Sequence, residues 1–412
     1  MSAVRILHSA YFFYIDNSNG AAIANRALME CLSRTGLKAE ALCGLVVDAA
    51  PGGDPADVLA ELDAACESAG NGVQHAWTIG IAGFLIDNPP HVHATVADVP
   101  ITALRRSLRR NTPAAPDEVA EFLSLFDTTV ARFRPNVLVT YGGDPLTLEI
   151  LARARRSGIA TVFTLHNFGY SQGSHFANVD AILVPSQFSA EHHRRVLGRD
   201  CVAIPYLVDA ARVRTDSAGP TYVTFVNPSF EKGVFPFVRV ADELGRRRPD
   251  IPILVVESRG EESTVVGCGI DLRTHGNVFL MAQTPDPRDF WRVSRICLVP
   301  SLWWESQGLV AVEAMINGIP VIASDRGALP ETLGAAGIVL PLPERLTPHT
   351  RELPTAEEVA PWVEAIIRLW DDGEFYREHQ ARALAESRRW DAEVLEPQYV
   401  QFFEEIAGHA RQ

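Results

Sequence analysis

The chain has no run of 18 or more apolar residues, so no membrane-crossing helix is expected. It contains no C-x-x-C pair and no histidine cluster, which argues against a metal site. The pairs His91/His93 and His192/His193 read instead as a loop and a helix surface. No strand-linked G-x-G-x-x-G occurs, which excludes a Rossmann dehydrogenase. The opening MSAVRILHSAYFFYIDNSNG lacks the basic segment of a signal peptide and looks like a first β-strand. Cysteine is scarce: Cys31, Cys43, Cys66, Cys201, Cys268 and Cys297 are scattered in mostly apolar contexts, as expected for reduced core thiols of a cytoplasmic protein. Positive charge is also short. Thirty-seven Lys and Arg against 51 Asp and Glu leave a net charge of −14. That balance argues against nucleic acid and against anchoring to anionic lipid. The one basic cluster, LRRSLRR at residues 104–110, reads as a short amphipathic helix with a solvated face.

What is present is a long alternation of strand-like and helix-like segments. With 412 residues, 47% of them hydrophobic, the chain suits two α/β domains. In the first half, apolar runs predict strands at 4–9, 38–44, 136–140, 159–165 and 179–184. Helical periodicity begins at Gly20, with Ile23, Ala24, Ala27, Leu28, Cys31 and Leu32 on one face. It recurs at 57–68, 118–133, 146–156 and after Ser186, which is placed to cap a helix running to Leu197. Residues 79–100, with Pro89, Pro90 and Pro100, read as irregular, and 209–220 as a polar linker. The second half predicts strands at 222–226, 253–257, 278–281, 296–300, 321–324 and 338–340 with helices between them. A tail at 355–411 reads as helical throughout, with a bend at Trp390. Such βα alternation predicts two Rossmann-like doubly wound sheets facing a cleft, with ligands at the carboxyl ends of the strands. The expected domains are 1–212 and 213–390.

The densest chemical signal is SLWWESQGLVAVEAMINGIPVIASDRGALPE, Ser301 to Glu331. Glu305 precedes a turn at Gly308, and Glu313 falls one turn into the helix-like run that follows. Pro320 then opens a β-rich segment. Backbone N–H groups at a helix start, aided by the helix dipole, favour an anion such as phosphate. Glu305 stands before that start, and Glu313 can accept hydrogen bonds from sugar hydroxyls. Trp303 and Trp304 read as packing residues.

This stretch resembles the donor-site signature of retaining GT-B glycosyltransferases of family 4, E-(F/Q)-G-L-x-x-x-E-A-M-A-x-G-x-P-V-I-A-S. About a dozen positions match in order. The resemblance implies the GT-B fold, with the last helix, 391–412, crossing back onto the first domain. It implies transfer of a sugar from a nucleotide-sugar donor to an acceptor hydroxyl or amine, with retained configuration. The donor is a co-substrate, and neither a cofactor nor a metal is implied. Gln307, Gly308, Leu309, Glu305 and Glu313 become donor-binding, with Glu313 on the nucleotide ribose.

Other segments extend the resemblance. Asn19-Gly20 stands where the family has Gly-Gly, near the diphosphate. His166, in Thr164-Leu165-His166-Asn167, ends a strand and faces the donor sugar or acceptor; His166, Lys232 and Glu305 form the implied catalytic set. Asp16 and Asn167 are the implied acceptor-binding residues. Val226 to Gly233, VNPSFEKG, resembles G-R-L-x-x-x-K-G, whose Arg and Lys clamp the leaving diphosphate. Lys232 keeps the lysine, but Asn227 occupies the arginine position. Either another group such as Arg259 supplies that charge or donor binding is weaker. Gln283, in QTPDPRDF, lies where the family holds the nucleobase. Acidic charge favours a soluble acceptor. Two rivals stay open: a GT-B enzyme coupling activated sugars or cyclitols, and a non-catalytic GT-B subunit that binds nucleotide. Base, sugar, acceptor and oligomeric state are open as well.

Overall fold

A computed structural model of the chain describes residues 4–16, 20–46, 85–86, 91–104, 114–216, 219–284 and 286–409. The expected helix at 57–68, Asn19 and the arginines of 105–110 lie outside those residues. The chain divides into two compact units. The first comprises Met1–Val184, Ala190–Leu207 and Glu393–Gln412, and the second Pro185–Ser189 and Val208–Ala392.

The first unit is built on β1 (Arg5–Phe12), α1 (Gly20–Arg34), β2 (Lys38–Val46), β3 (Leu85–Ile86), β4 (His91–Val96), β5 (Val99–Leu104), α2 (Pro116–Phe133), β6 (Val137–Thr140), α3 (Pro145–Arg156), β7 (Ala160–Thr164) and β8 (Ala181–Val184). Helix α4 (Gln187–Leu197) and β9 (Val202–Ala203) follow. The sheet runs β3-β4-β5-β2-β1-β6-β7-β8-β9. Strands β2, β1, β6, β7, β8 and β9 pair in parallel. Every residue of β6 and β7 is buried, because helices cover both faces of a parallel sheet. Leu7, Leu138 and Phe163 from the strands pack with Phe122, Phe126 and Ile150 from the helices.

Expectation and structure differ at one edge of this sheet. Residues 79–100 read as irregular, yet β4 and β5 form an antiparallel hairpin there. The turn residues Ala97 and Asp98 both have positive φ, the backbone of a tight two-residue hairpin. Alternation in HATV and VPITAL outweighed the prolines. Leu104 closes β5 rather than opening a helix. His91 and His93 lie on β4, not a loop, and His93 Nδ1 is 3.2 Å from Thr102 Oγ1. His193 sits on a helix as expected but is buried, stacked on Phe168. Burial pushes its imidazole down to about 4.

The second unit contains α5 (Ala210–Val213), β10 (Tyr222–Val226), α6 (Val234–Arg247), β11 (Ile253–Val256), α7 (Glu262–Val266), β12 (Val278–Met281), α8 (Arg288–Trp291) and β13 (Ser294–Val299). It continues with α9 (Leu309–Ile316), β14 (Val321–Ser324), α10 (Leu329–Leu333), β15 (Ile338–Leu340), α11 (Ala356–Asp371) and α12 (Gly373–Ser387). Its sheet, β12-β11-β10-β13-β14-β15, is parallel throughout. The order reverses at β10 and β13, so the loops leaving those two strands lie side by side at their carboxyl ends. Phe225 stacks on Phe237 at 4.3 Å, and Val255, Leu298, Trp362 and Ile366 complete the core around them. The segment expected as a linker contains α5, whose first turn Asp209 caps through Ala211 N–H. A 3-10 turn at Arg388–Trp390 marks the bend in the helical tail, and α13 (Ala392–His409) follows. Within the first unit, the Tyr399 hydroxyl of α13 donates to the Pro205 carbonyl at 2.9 Å.

Candidate functional site

Two loops of the second unit meet where β10 and β13 end. After Val226 the chain turns through Asn227, whose φ of 62° is left-handed. Asparagine adopts that conformation more readily than most residues, and arginine pays a steric penalty there. The Asn227 side chain is committed as well, since its Oδ1 accepts from Gly260 N–H at 3.0 Å. Asn227 thus builds a turn where the family resemblance places a cation. Further along, Glu231 carbonyl accepts from both Leu302 and Trp303 N–H at 3.0 Å, joining this loop to the one after β13. Gly233 tightens the junction. A Cβ there would lie 1.8 Å from Pro300 O, so no other residue fits without backbone movement.

The junction brings Lys232 to Glu305. Lys232 Nζ lies 2.6 Å from Glu305 Oε1, and Ser301 Oγ donates to the same oxygen at 2.7 Å. Ser301 is held in turn by Ser324 Oγ on its carbonyl, at 2.7 Å. Glu305 is only 8% exposed, so its charge depends on these partners. Lys232 keeps 32% of its side chain exposed and so remains reachable by a ligand.

Helix α9 starts beside this pair. Gly308 caps it with φ 86°, and its carbonyl accepts from Ala311 N–H at 3.0 Å. Leu309 and Val310 N–H fall in the first turn, where no intrahelical acceptor exists. Gln307 is buried just before the cap, its carbonyl accepting from Thr332 Oγ1. Glu313 lies one turn in and takes a hydrogen bond from Trp291 Nε1 at 3.1 Å. Burial pushes its carboxyl up to about 7, with the indole bond opposing the shift. Arg259 and Gln283 are exposed on the loops after β11 and β12. Trp303 and Trp304, expected to pack, are 38% and 43% exposed on the loop entering Glu305. Trp304 still packs edge-on against Phe188, with ring centroids 5.8 Å apart. A cavity of about 390 Å³ lined by Phe230, Phe235, Thr264, Cys268 and Arg351 contains neither Lys232 nor Glu305.

The first unit holds a second cluster. His166 follows the end of β7 and is half-buried among polar partners. Its Nδ1 is 2.7 Å from Tyr206 Oη, and its Nε2 is 2.9 Å from Asn25 Nδ2 and 3.1 Å from Thr164 Oγ1. Since an amide N–H₂ can only donate, Nε2 is the acceptor and Nδ1 carries the proton. Desolvation first, then the neighbouring His8, push the imidazole down to about 3. Tyr206 stacks on it at 5.5 Å and Tyr141 meets it edge-on at 5.7 Å. Asn25, Tyr206, Tyr141 and His8 escaped sequence reading. Asn25 left a trace, as a polar residue on the buried face of α1. Asn167 caps its own loop by accepting from Gly169 N–H at 2.9 Å, and Asp16 is buried after β1. Gly20 opens α1, and a Cβ added there would meet nothing within 4 Å. Among the described residues, no group of His, Cys, Asp and Glu is arranged to hold a metal, and no helix is long and apolar enough to cross a membrane.

Residues 221–372 match the family model described as Glycosyl transferases group 1. Over 233 residues the chain is 28% identical to the phosphatidyl-myo-inositol mannosyltransferase of Mycolicibacterium smegmatis, covering 54% of this chain and 56% of that protein. It thus spans about half the length of the curated relatives it matches. Among solved structures, sucrose-phosphate synthase from Thermosynechococcus elongatus superposes with a TM-score of 0.66 at 17% identity, over 98% of this chain and 100% of that one. The Anabaena protein HepE in complex with UDP and glucose gives 0.65 at 14% identity, over the same shares of the two chains. The fold is GT-B, two parallel-sheet α/β domains.

Proposed function

We propose, starting from the glycosyl transferases group 1 domain that residues 221–372 form, that this protein is a retaining glycosyltransferase. It moves a sugar from a nucleotide-sugar donor to a hydroxyl or amine of a soluble acceptor. The bond from the anomeric carbon to the diphosphate oxygen breaks, and the acceptor oxygen or nitrogen bonds to that carbon on the same face. The acceptor proton leaves with the nucleoside diphosphate.

The observation that carries this reading is the convergence of Lys232, Ser301 and Glu305 beside the start of α9. The departing diphosphate gains negative charge as the bond breaks. An ammonium and the first-turn amides of Leu309 and Val310 oppose that charge without rearrangement, which is where such groups lower a barrier most. They do the neutralising that a metal does elsewhere, so the reaction proceeds without one. Glu305, held by Ser301, orients the sugar hydroxyls, and Glu313 takes the ribose hydroxyls. His166, a neutral ring in the first unit, offers a hydrogen-bonding surface rather than a base. The relative named as a phosphatidyl-myo-inositol mannosyltransferase supports sugar transfer, and the HepE structure with UDP and glucose supports a nucleotide-sugar donor. The free thiols Cys31, Cys43, Cys201, Cys268 and Cys297 suit the cytoplasm.

The test is to incubate the protein, with EDTA and then with Mg²⁺, with UDP- and GDP-sugars and a panel of soluble acceptors. Release of nucleoside diphosphate and the new glycoside are followed by mass spectrometry. Turnover with one donor, undiminished by EDTA and lost in Lys232→Ala, is expected. Nucleotide binding without turnover on any acceptor would point to a non-catalytic subunit.

A further inference from the structure

The second unit contains a cavity that the donor-site reading does not use. It measures about 390 Å³. That lies within the range of about 300–1,000 Å³ in which proteins hold small molecules. Three segments build it. Phe230 comes from the loop after β10 and Phe235 from the first turn of α6. Thr264 and Cys268 come from α7 and the turn that ends it. Arg351 comes from the loop between β15 and α11.

One side is apolar and uncharged. Phe230 and Phe235 stack with their ring centroids 6.1 Å apart. Cys268 is buried, and its Sγ donates to Thr264 O at 3.3 Å. Burial pushes its thiol up to about 11 against the opposing pull of Arg351, so this wall stays neutral.

The other side is one guanidinium held in place. Arg351 lies over the face of Phe230, with Cζ 3.5 Å from the ring centroid. Its Nη1 donates to Pro348 O at 2.8 Å and to Thr350 O at 3.2 Å, which ties that end to its own loop. Among the described residues, its Nε and Nη2 have no acceptor, and no Asp or Glu forms an ion pair with it. The acids nearby act on other cations. Glu358 pairs with Arg345, and the field of Glu352 falls on Arg345 as well. Glu262, beside the lining residue Ser263, acts on Arg273. Glu262 and Glu352 are exposed, so water and salt screen them. They still make a second negative charge on a ligand costly, which favours a monoanion over a phosphate dianion.

We propose that this cavity is a second ligand site, taking a small carboxylate with an aromatic body. The carboxylate accepts from the Nε and Nη2 edge of Arg351 as paired hydrogen bonds, a geometry that guanidinium and carboxylate share. The ring packs offset or edge-on against Phe230 and Phe235. The site shares no side chain with the Lys232–Glu305 pair, and it does not depend on the donor-site reading.

Calorimetric titration of the full chain with phenylacetate, its neutral amide phenylacetamide, acetate and phenyl phosphate tests this. Phenylacetate should bind most tightly, with the other three weaker by about tenfold or more. Arg351→Gln, an exposed substitution whose folding is checked by circular dichroism, should bring phenylacetate down to the level of its amide. Ser263→Trp, at an exposed position on the cavity wall, should block the acid and the amide alike. Equal affinity of the wild type for acid and amide, or no binding of phenylacetate, overturns the proposal without need of a variant. Tighter binding of phenyl phosphate than of phenylacetate would overturn the carboxylate assignment. Phenylacetate binding that is lost in Lys232→Ala and kept in Arg351→Gln would place the anion beside Glu305 and also overturn it.

Discussion

Lys232 and Glu305, 73 residues apart in the chain, meet at 2.6 Å over a single carboxylate oxygen that also receives the Ser301 hydroxyl. The buried partner is the acid and the half-buried partner is the base, so the pair has an inside and an outside. A ligand reaches the ammonium first and leaves the carboxylate in place. The resting ion pair is therefore a preformed socket, with the cost of orienting both side chains met by folding.

Removing the lysine separates two effects. Lys232→Ala leaves Glu305 buried with only Ser301 for support, and stability should fall by about 1–3 kcal/mol in urea unfolding. Transfer should fall by roughly 100-fold or more, because the leaving group loses its nearest cation. The double variant Lys232→Ala/Glu305→Ala should regain part of the stability and none of the activity. Wild-type stability in Lys232→Ala would show that the pair does not support the fold.

Glu313 makes stability depend on pH in a defined direction. Its folded-state pKa, about 7, lies above the ordinary glutamate value of 4.5. The native state therefore holds a proton that the unfolded chain releases, and the resulting stability is lost as pH rises from about 4.5 through about 7. Glu313→Gln keeps the neutral shape at every pH. Its melting temperature should approach that of the wild type near pH 5 and exceed it at pH 8, while nucleotide affinity weakens at both. A constant difference between the two proteins across that range would contradict the assignment.

His166 should stay neutral under all physiological conditions. Its pKa is lowered from 6.5 to about 3, so the stability of its neutral form is fully present above 6.5 and lost only as pH falls towards 3. In a spectrum with isotopically labelled histidine, the His166 imidazole, like those of His8 and His193, should show no titration midpoint between pH 5 and 8. It should carry its proton on Nδ1, facing Tyr206. Tyr206→Phe removes that acceptor and should loosen the tautomer preference. A titration midpoint near 6.5 assigned to His166 would overturn the picture.

Gly233 tolerates no side chain. Gly233→Ala introduces a Cβ 1.8 Å from Pro300 O, at a φ of 83°. The junction between the two loops must open, and a loss of about 2 kcal/mol or more is expected by thermal or urea unfolding, with activity falling alongside. Gly20→Ala, where the added methyl meets nothing within 4 Å, is the matched control and should change stability little.

Much of this protein was legible before any coordinates. Strands 222–226, 278–281, 321–324 and 338–340 were readable to the residue because each is a short, largely apolar run, whether it lies inside the sheet or at its edge. The stretch from Glu305 to Ser324 announced a loop, a helix and a strand through Gly308 and Pro320, which are local signals. The hairpin of β4 and β5 was hidden because its prolines outweighed a short alternation, and its pairing is a contact between strands rather than a property of either one. Asn227 looked like a lost cation, since a positive φ and a bond to Gly260 cannot be read from residue identity. His166 was marked as a candidate from its place at a strand end. Its neutral state and its tautomer depend on Asn25, 141 residues away in sequence, and on Tyr206, 40 residues away. Composition and periodicity settle what a segment can become, because those energies are local and repeat along the chain. Which lysine meets which glutamate, and which ring keeps its proton, follow only once distant segments exclude water from the same few ångströms.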